Sequence, residues 1–429
     1  MIQGGVPLSG EITAAGNKNA ALPIIAACLL TDEEVLLANV PRIRDTEAQV
    51  AILERMGVAV EWTGDNELRV QADSITDTSP DEDLAARIRA SFLLAGPLLA
   101  RFGEARLPPP GGDFIGRRRL DPHLDAFRDM GAKVEGSRWI ELTAPEGGLR
   151  PCSVFMDEPS VMGTENALMA AALTEGPTTI SNAASEPHVQ DLARLLVKMG
   201  AEIEGIGSNV MTVHGRDRLS GAEHRVCPDH IEVASFMALA AATGGDLRIR
   251  DAGPEDLEMI RRQFDRLGLR SEVEGSDVIV PPGLKLAVRD DLGDAIPKIE
   301  DGPWPAFPAD LTSIALALAT QADGTILIFE KMFENRLFFV DKLVAMGARI
   351  TLCDPHRAIV NGPSRLHGER VESPDIRAGM AMLIAALAAD GTSEIGNIVQ
   401  IDRGYERIDD RLRELGARIE RVATDRVHA

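Results

Sequence analysis

Residues 196–204 read Leu-Val-Lys-Met-Gly-Ala-Glu-Ile-Glu, and five other stretches of the chain repeat this pattern. In each copy an amphipathic helix reaches a Met or Leu, a glycine follows, and an alternating strand begins. Glycine suits this position because the residue after a helix often has a left-handed backbone, and alternation is typical of a strand with one buried face. Six copies predict a sixfold structural repeat. The copies lie at residues 53–61, 127–135, 196–204, 264–272, 343–351 and 412–420.

An Ala-rich apolar helix, a turn and a β-branched strand precede each copy, as at residues 167–180, 313–328 and 377–395. Each repeat is therefore roughly 70 residues long and alternates helix with strand. The Ala-rich helices are apolar nearly all round, which is typical of buried rather than surface helices. We expect an α/β (α+β) fold: a two-domain inside-out α/β barrel of six repeats, three per domain, with helices inside and sheets outside.

The boundary between the two sets of three repeats is predicted near Pro228. The first domain would span residues 18–228 and carry the loop 108–123. The second would comprise residues 1–17 and 229–429, because the last repeat otherwise ends without a closing strand. The two crossings would lie side by side as a hinge, with the active-site cleft between the domains.

Composition excludes several classes of protein. The net charge of −22 over 429 residues argues against nucleic acid and anionic membranes as partners. The four cysteines are far apart and form no CxxC pair, which argues against a disulfide scaffold or a zinc site. The first residues lack the pattern of a signal peptide, and no apolar run approaches the roughly 20 residues that span a bilayer. The sequence therefore predicts a cytoplasmic protein.

The loop 108–123 reads Pro-Pro-Pro-Gly-Gly-Asp-Phe-Ile-Gly-Arg-Arg-Arg-Leu-Asp-Pro-His and has two interpretations. It could be a surface turn whose charges are solvated. Alternatively, it could be a mobile arm on which Asp113 works as an acid or base beside the cations at 117–119, near an anionic substrate. The stretch alone leaves both interpretations open.

Three cations occupy equivalent places in different repeats. Lys18, Arg89 and Arg377 each stand at the start of an apolar helix. Helix N-termini attract anions, so equivalent helix starts that point to one end of a domain would form an anion site. Taken singly, each of these residues could equally be a solvated or ion-paired side chain.

Aspartates also precede the apolar helices. Asp310, Asp375 and Asp229 are first of all candidate N-caps. An aspartate that also faces arginines is a candidate base for a hydroxyl group. We find no phosphate-binding glycine loop, no dinucleotide fingerprint and no histidine pair at metal spacing, so the sequence predicts neither a metal nor a cofactor.

Seven motifs together resemble the UDP-N-acetylglucosamine 1-carboxyvinyltransferase family of enolpyruvyl transferases, which is related to 5-enolpyruvylshikimate-3-phosphate synthase. The resemblance covers essentially the whole chain. The motifs are Gly-Asn-Lys-Asn-Ala-Ala-Leu-Pro at 16–23, the loop at 110–123, Pro-Ser-Val at 159–161, Asn-Ala-Ala-Ser-Glu-Pro at 182–187, Phe-Pro-Ala-Asp at 307–310, Phe-Glu-Asn-Arg at 333–336 and Ile-Asp-Arg-Gly-Tyr-Glu-Arg at 401–407.

The resemblance implies transfer of the enolpyruvyl group from phosphoenolpyruvate to the 3-hydroxyl of UDP-N-acetylglucosamine, with release of phosphate and without metal or cofactor. This reaction is the first committed step of peptidoglycan precursor synthesis. It would connect the protein to cell wall biogenesis, cell shape, the cell cycle and cell division. We expect a monomer whose partners are the two small-molecule substrates.

The resemblance also implies roles for residues. Asp310 would take the proton of the sugar hydroxyl, Asp375 would be a second acid or base, and Asp113 would donate a proton to the methylene carbon or aid product release. Lys18 and Arg403 would complete the catalytic set. Phosphoenolpyruvate would be bound by Lys18, Arg89, Arg118, Arg336, Arg377 and Arg403. The UDP-sugar would be bound by Asn19, Arg89, Arg118, Asp121, His123, Ser160, Val161, Asp310 and Met332.

The sequence departs from the family at several positions. The commonest residue at position 113 is Cys, and a carboxylate is a weaker nucleophile than a thiolate. We therefore expect insensitivity to the epoxide fosfomycin, which alkylates that Cys. Met162, Ser185 and His230 alter the acceptor side. They favour an alternative function: enolpyruvyl transfer to a different nucleotide or sugar-nucleotide in specialised metabolism. A third possibility is a non-catalytic sugar-nucleotide binding protein.

Overall fold

A computed structural model describes residues 1–422 of the chain. Its α-helices are α1 (Lys18–Ala27), α2 (Arg44–Arg55), α3 (Glu82–Ala85), α4 (Ala95–Phe102), α5 (Asp121–Asp129), α6 (Val161–Ala172), α7 (Pro187–Lys198), α8 (His230–Thr243), α9 (Glu258–Asp265), α10 (Thr312–Ala319), α11 (Val340–Ala345), α12 (Ile376–Ala388), α13 (Val399–Asp402) and α14 (Ile408–Glu414). Short 3-10 helices are Cys28–Leu30, Arg89–Leu94, Pro254–Asp256 and Ala309–Leu311.

The strands are short and follow the helices in alternation. They are β1 (Ile2–Gln3), β2 (Ser9–Thr13), β3 (Val35–Ala38), β4 (Ala59–Gly64), β5 (Glu67–Gln71), β6 (Glu104–Leu107), β7 (Lys133–Glu135), β8 (Ile140–Thr143), β9 (Ser153–Phe155), β10 (Gly176–Ser181), β11 (Glu202–Glu204), β12 (Val210–Gly215), β13 (Glu223–Arg225), β14 (Asp246–Arg250), β15 (Glu272–Glu274), β16 (Asp277–Val280), β17 (Lys298–Glu300), β18 (Gly324–Phe329), β19 (Ile350–Asp354), β20 (Arg357–Gly362), β21 (Arg370–Glu372), β22 (Thr392–Gly396) and β23 (Arg418–Ile419).

The strands of residues 1–422 form six small sheets, one for each sequence repeat. In the third repeat, β10 lies parallel to β9 and antiparallel to β12, and β11 completes the sheet beside β12. Five sheets have four strands and one has three. The strand orders are β13-β3-β5-β4, β6-β8-β7, β11-β12-β10-β9, β15-β16-β14-β2, β17-β18-β20-β19 and β21-β22-β1-β23.

The glycine of the repeated phrase ends a helix in every repeat. In the third repeat α7 ends at Lys198, Met199 caps it, and Gly200 has φ of +115° before β11 begins. The six equivalent glycines all have positive φ, between +82° and +115°. This backbone region is costly for residues with a Cβ, so the sixfold repeat predicted from the sequence is confirmed. The six are Gly57, Gly131, Gly200, Gly268, Gly347 and Gly416.

Contacts between Cα atoms divide the chain into two compact units. The N-terminal unit comprises residues 15–113 and 118–227. The C-terminal unit comprises residues 1–14, residues 114–117 and the chain from Pro228 onward. The segment 114–117, which the sequence placed in the first domain, groups with the C-terminal unit through backbone contacts described below.

In the N-terminal unit the Ala-rich helices are buried and the sheets cover them. Every residue of α6 from Gly163 to Ala172 is buried, as are nine of the ten residues of α1. Helix α4 packs against α6, and α1 packs against the 3-10 helix Arg89–Leu94. These helices lie inside because they are apolar nearly all round. Their small alanine side chains let the helix backbones approach closely.

The C-terminal unit has the same arrangement, with α8, α10 and α12 packed pairwise on one another. The opening segment completes two of its sheets. Strand β1 lies antiparallel between β22 and β23, and β2 lies parallel to β14. The last repeat thus receives its missing strand from residues 2–3, as the sequence predicts. Together these features confirm the inside-out α/β architecture.

Residues 1–422 contain neither a candidate membrane span nor a candidate metal site. No helix there combines the length and the apolar character needed to cross a bilayer. No group of three or more His, Cys, Asp or Glu side chains is arranged to hold a metal ion in that part of the chain.

Candidate active site

Asp310, Arg336 and Arg377 form a compact cluster in the C-terminal unit, here called the arginine–aspartate cluster. Arg336 Nη2 donates to Asp310 Oδ1, and Arg377 Nε donates to Asp310 Oδ2 at 3.1 Å, with Arg377 Nη2 3.0 Å from the same oxygen in the ion pair. The arginine side chains are only 6% and 4% exposed, whereas that of Asp310 is 25% exposed. The Asp310 carboxylate is therefore the part of the cluster that solvent can reach, while both arginine side chains are buried.

Local structure positions these three side chains. Asp310 lies in the 3-10 turn Ala309–Leu311 that begins α10, and Arg377 lies in the first turn of α12. Arg336 follows β18, in the segment before α11. Two helix starts and a loop thus bring together residues that lie 26 and 67 positions apart in the chain.

The cluster has unused hydrogen-bond donors. Arg336 Nε and Arg377 Nη1 are buried, and no atom of residues 1–422 accepts a hydrogen bond from either. Burial alone would lower the pKa of Arg377, but the Asp310 carboxylate raises it above the ordinary value, so this guanidinium stays charged. A buried donor without a partner is costly, and a small anion such as a carboxylate would accept hydrogen bonds from both guanidinium groups.

Asp375 is the N-cap of α12. Its Oδ1 accepts from the backbone N–H of Arg377 at 2.8 Å and of Ala378 at 2.9 Å. The N-cap role that the sequence offered for Asp375 is therefore confirmed, while its role as a second acid or base stays a prediction.

The other predicted residues of the C-terminal unit lie on short segments. Arg403 Nη1 donates to Gln400 Oε1 at 2.8 Å at the end of α13. Met332 is 37% exposed, and its backbone N–H donates to Glu330 Oε1 at 3.2 Å.

Two residues that matter for this cluster were missed by sequence reasoning. Tyr405, the single tyrosine of the chain, is buried with its ring 5.5 Å from the Arg377 guanidinium and its hydroxyl 3.1 Å from Ser235 Oγ. Glu330 is fully buried, and burial together with the negative charge of Asp301 raises its pKa to about 8. The motif at residues 401–407, which contains Tyr405, was a sequence signal for this residue. No sequence signal distinguishes Glu330.

In the N-terminal unit Lys18 is held in a buried ion pair. Asn17 caps α1 by accepting from Asn19 N at 2.9 Å and Ala20 N at 3.1 Å. Lys18 Nζ lies 2.9 Å from Asp45 Oδ2, and both residues are buried. Of the two interpretations of Lys18 as an isolated residue, the solvated one is wrong, because the first turn of α1 directs the ammonium group against α2.

Arg89 and Arg118 form a second cationic site, here called the arginine pair. Arg89 Nη2 donates to the backbone carbonyl of Arg118 at 2.7 Å, and Arg118 Nη2 donates to the carbonyl of Asp113 at 2.7 Å. Burial and the positive charge of Arg118 lower the pKa of Arg89 to about 10. An anion at the arginine pair would relieve this repulsion.

Residues 115–117, which precede Arg118 in the loop, are held by hydrogen bonds of their backbone. Within the C-terminal unit Ile115 O accepts from Asn335 N at 3.1 Å, and Arg117 N donates to Glu334 Oε2 at 3.2 Å. Gly116 has φ of +136°, and a Cβ there would overlap the Glu334 carboxylate. The loop therefore requires glycine at this position.

Arg119 and Asp121, two further charged residues of the loop, form ion pairs at the surface. Arg119 lies 2.7 Å from Asp157 and 3.3 Å from Asp121. Asp121 is the first residue of α5, and its side chain is 55% exposed. Asp113 is half-buried. Surface pairs of this kind contribute little to stability.

Three more predicted contacts of the UDP-sugar lie near α5 and α6. Ser160 caps α6 by accepting from Gly163 N at 3.2 Å, and Val161 is the first residue of that helix. His123 lies in α5, is almost fully buried, and has Nδ1 2.8 Å from Asn166 Nδ2. Asn19 is half-buried in the first turn of α1.

The positions that depart from the family motifs are largely inside. Met162 packs against the core of the N-terminal unit, and Ser185 is buried with its carbonyl accepting from Gln190 Nε2 at 2.8 Å. In the C-terminal unit His230 is the first residue of α8 and lies 5.9 Å from the Trp304 ring.

Comparison with known proteins gives a consistent result. A family model described as EPSP synthase (3-phosphoshikimate 1-carboxyvinyltransferase) matches residues 2–412. A UDP-N-acetylglucosamine 1-carboxyvinyltransferase from Bradyrhizobium diazoefficiens is 60% identical over 422 residues, which cover 98% of this chain and 97% of the relative. The enzyme of that name from Treponema denticola is 54% identical over 420 residues, with 98% of both chains covered.

Solved structures share the fold. The enolpyruvyl transferase NikO from Streptomyces tendae superposes with a TM-score of 0.86 at 26% identity, covering 97% of both chains. An EPSP synthase from Acinetobacter baumannii superposes with a TM-score of 0.73 at 18% identity, covering 97% of both chains. This second likeness concerns the fold alone.

Proposed function

The chain belongs to the EPSP synthase family, and from that membership we propose that it transfers the enolpyruvyl group of phosphoenolpyruvate to the 3-hydroxyl of UDP-N-acetylglucosamine, with release of phosphate. Identities of 60% and 54% to enzymes that carry this acceptor in their names support the assignment. The reaction is the first committed step of peptidoglycan precursor synthesis. Through it the protein contributes to cell wall biogenesis, cell shape, the cell cycle and cell division.

The arginine–aspartate cluster is the observation that carries the proposal. Arg336 and Arg377 offer two buried N–H groups without an acceptor, and a planar carboxylate suits such donors. We assign the carboxylate of phosphoenolpyruvate to them. Asp310, more exposed than either arginine, takes the proton of the sugar hydroxyl as a general base.

The phosphate of phosphoenolpyruvate is assigned to Lys18, Arg118 and Arg403, with Arg89 beside it. The repulsion between Arg89 and Arg118 supports an anion at this pair. Lys18 already lies in an ion pair with Asp45, so its assignment rests on the family motif at residues 16–23.

The reaction needs one proton gained and one lost at the methylene carbon. Addition forms the bond between the sugar oxygen and C2 while the methylene carbon takes a proton. Elimination then breaks the bond from C2 to the phosphate oxygen while the methyl group loses a proton, which restores the double bond. Asp113 is assigned to the first of these protons or to product release. A carboxyl group must itself be protonated to donate.

The altered positions Met162, Ser185 and His230 do not outweigh the identity to the named relatives, so a different acceptor is not favoured. We also propose that the protein works as a monomer in the cytoplasm on two small, water-soluble substrates, without nucleic acid, membrane, metal or cofactor. Size-exclusion chromatography with light scattering tests the monomer.

A phosphate-release assay with a panel of acceptors tests the function. We expect release from phosphoenolpyruvate only with UDP-N-acetylglucosamine, and not with uridine, UDP-glucose or shikimate 3-phosphate. Mass spectrometry should find the enolpyruvyl group on the sugar nucleotide. Release with another acceptor but none with UDP-N-acetylglucosamine would refute the assignment.

Asp113 also makes the enzyme insensitive to fosfomycin in this proposal, because a carboxylate is a weaker nucleophile than a thiolate. We expect full phosphate release after incubation with fosfomycin, and loss of activity with a covalent adduct in the matched variant Asp113→Cys. An adduct on Asp113 in the unmodified protein, seen by mass spectrometry, would contradict this expectation.

A further inference from the structure

Asn166 in α6 has an amide whose orientation is determined by the backbone around it. Its Oδ1 accepts from Gly96 N at 2.8 Å, and its Nδ2 donates to Phe92 O at 2.9 Å. A flipped amide would place the Nδ2 donor against the donor Gly96 N and the Oδ1 acceptor against the acceptor Phe92 O. The Nδ2 group is therefore the end that faces the third partner, His123.

The geometry fixes the protonation state of His123. Its Nδ1 lies 2.8 Å from Asn166 Nδ2, which can only donate, so Nδ1 must be the acceptor. A neutral ring then carries its proton on Nε2, and a charged ring would place N–H against N–H. Burial and the charge of Arg89 lower the pKa of His123 to about 3, in agreement. The edge of Phe92, with ring centroids 5.1 Å apart at 89°, holds the ring plane.

We propose that Asn166 is a positioning residue that makes His123 an obligate hydrogen-bond donor, through Nε2, to an acceptor oxygen of the UDP-sugar. The proposal rests on the proposed function, which assigns the UDP-sugar to His123. It adds a requirement for the ligand: the atom that faces His123 Nε2 must be a hydrogen-bond acceptor. An imidazole that was free to exchange its proton between the two nitrogens would tolerate a donor as well.

Nuclear magnetic resonance of histidine-labelled protein tests the protonation state without any substrate. The His123 signals are assigned by their loss in His123→Gln, since the chain has eight histidines. We expect Nε2 to be protonated and Nδ1 unprotonated from about pH 5 to pH 8, across the ordinary titration range of histidine. Protonated Nδ1, or titration of the ring near its ordinary pKa, would overturn the proposal even if the enzyme is active.

Kinetics test the effect on the ligand. Asn166→Leu removes the amide but keeps its approximate shape. We expect KM for UDP-N-acetylglucosamine to rise about tenfold, the scale of one lost hydrogen bond, with kcat and the KM for phosphoenolpyruvate within about threefold.

The variant His123→Gln is the matched control, because a Gln amide offers an N–H near the place of Nε2 and has no tautomers. Asn166→Leu should therefore leave KM unchanged when added to His123→Gln. An equal rise of KM in both backgrounds would indicate a general loss of packing and would overturn the proposal. If Asn166→Leu does not fold, the resonance measurement on the unmodified protein still decides.

Discussion

The arginine–aspartate cluster and the arginine pair are two cationic sites with different partners: the first is buried and holds a carboxylate between its guanidinium groups, whereas the second is half-buried and donates to backbone carbonyls. In the first, Asp310 lies between two guanidinium groups and the pKa of Arg377 is raised. In the second, Arg89 and Arg118 contact backbone carbonyls, and the pKa of Arg89 is lowered to about 10. Burial lowers the pKa of the arginine in both sites, and the difference is the neighbouring Asp310 carboxylate, which raises the pKa of Arg377 against that effect.

The substitution Asp310→Asn should have the largest effect, because it converts the cluster into a site like the arginine pair. We expect kcat to fall by about 10²-fold or more with the loss of a general base. Stability should fall by about 3–5 kcal/mol, the cost of leaving buried charges unpaired. Phosphate release and urea unfolding are the measurements. Near-normal turnover would remove Asp310 from the role of base.

The matched substitutions Arg377→Gln and Arg89→Gln test the comparison directly. Removing Arg377 breaks a buried ion pair and should cost about 3 kcal/mol. Removing Arg89 loses its hydrogen bonds to the carbonyls of Arg118 and Arg119 but relieves repulsion with Arg118, so the free energy of unfolding should change by less than about 1 kcal/mol. Urea unfolding at neutral pH separates the two. Equal losses would mean that the charge balance of these sites does not govern their stability.

Glu330, a buried carboxyl group beside the arginine–aspartate cluster, should make the stability of the protein depend on pH. It is influenced by both the negative charge of Asp301 and the positive charge of Arg336. Its pKa is raised from 4.5 to about 8, so the folded protein binds the proton more tightly than the unfolded chain. The contribution of protonated Glu330 to the free energy of unfolding is fully present below about pH 4.5 and is lost as pH rises toward about 8.

The variant Glu330→Gln keeps the acceptor for Met332 N and Phe333 N but cannot ionise. At pH 8 it should therefore be more stable than the unmodified protein, by on the order of 1–3 kcal/mol, and the difference should vanish near pH 5. Thermal unfolding at the two pH values measures it. An advantage that stays the same at both values would show that Glu330 does not titrate in this range.

The sequence predicted the features that repeat. Six glycines at equivalent places required a left-handed backbone, and apolar helices required burial, so the inside-out architecture followed from local physics. Lys18 and Arg377 were found by their equivalent positions at helix starts. The partner of Lys18 was not, because the pair Lys18–Asp45 joins residues from different elements.

The features that were missed depend on tertiary contacts. The raised pKa of Glu330 depends on its own burial and on the charge of Asp301 beside it, and the contact between His123 and Asn166 joins positions 43 residues apart. The hydrogen bonds of the backbone of Ile115 and Arg117 to Asn335 and Glu334 were also missed, while the mobility of the loop stays a prediction. The composition of the loop, rich in Pro, Gly and Arg, does not reveal those partners. The assignments of individual residues to substrates remain predictions.

The position of β1 between β22 and β23 has a consequence for synthesis on the ribosome. Residues 2–3 are synthesised roughly 400 residues before their neighbours in the sheet, Thr392–Gly396 and Arg418–Ile419. The stretch from Ala15 to Cys227 can complete its own sheets while translation continues. Strand β1 must remain without these neighbours until the sixth repeat has been made, so its sheet closes only after residue 419 has emerged.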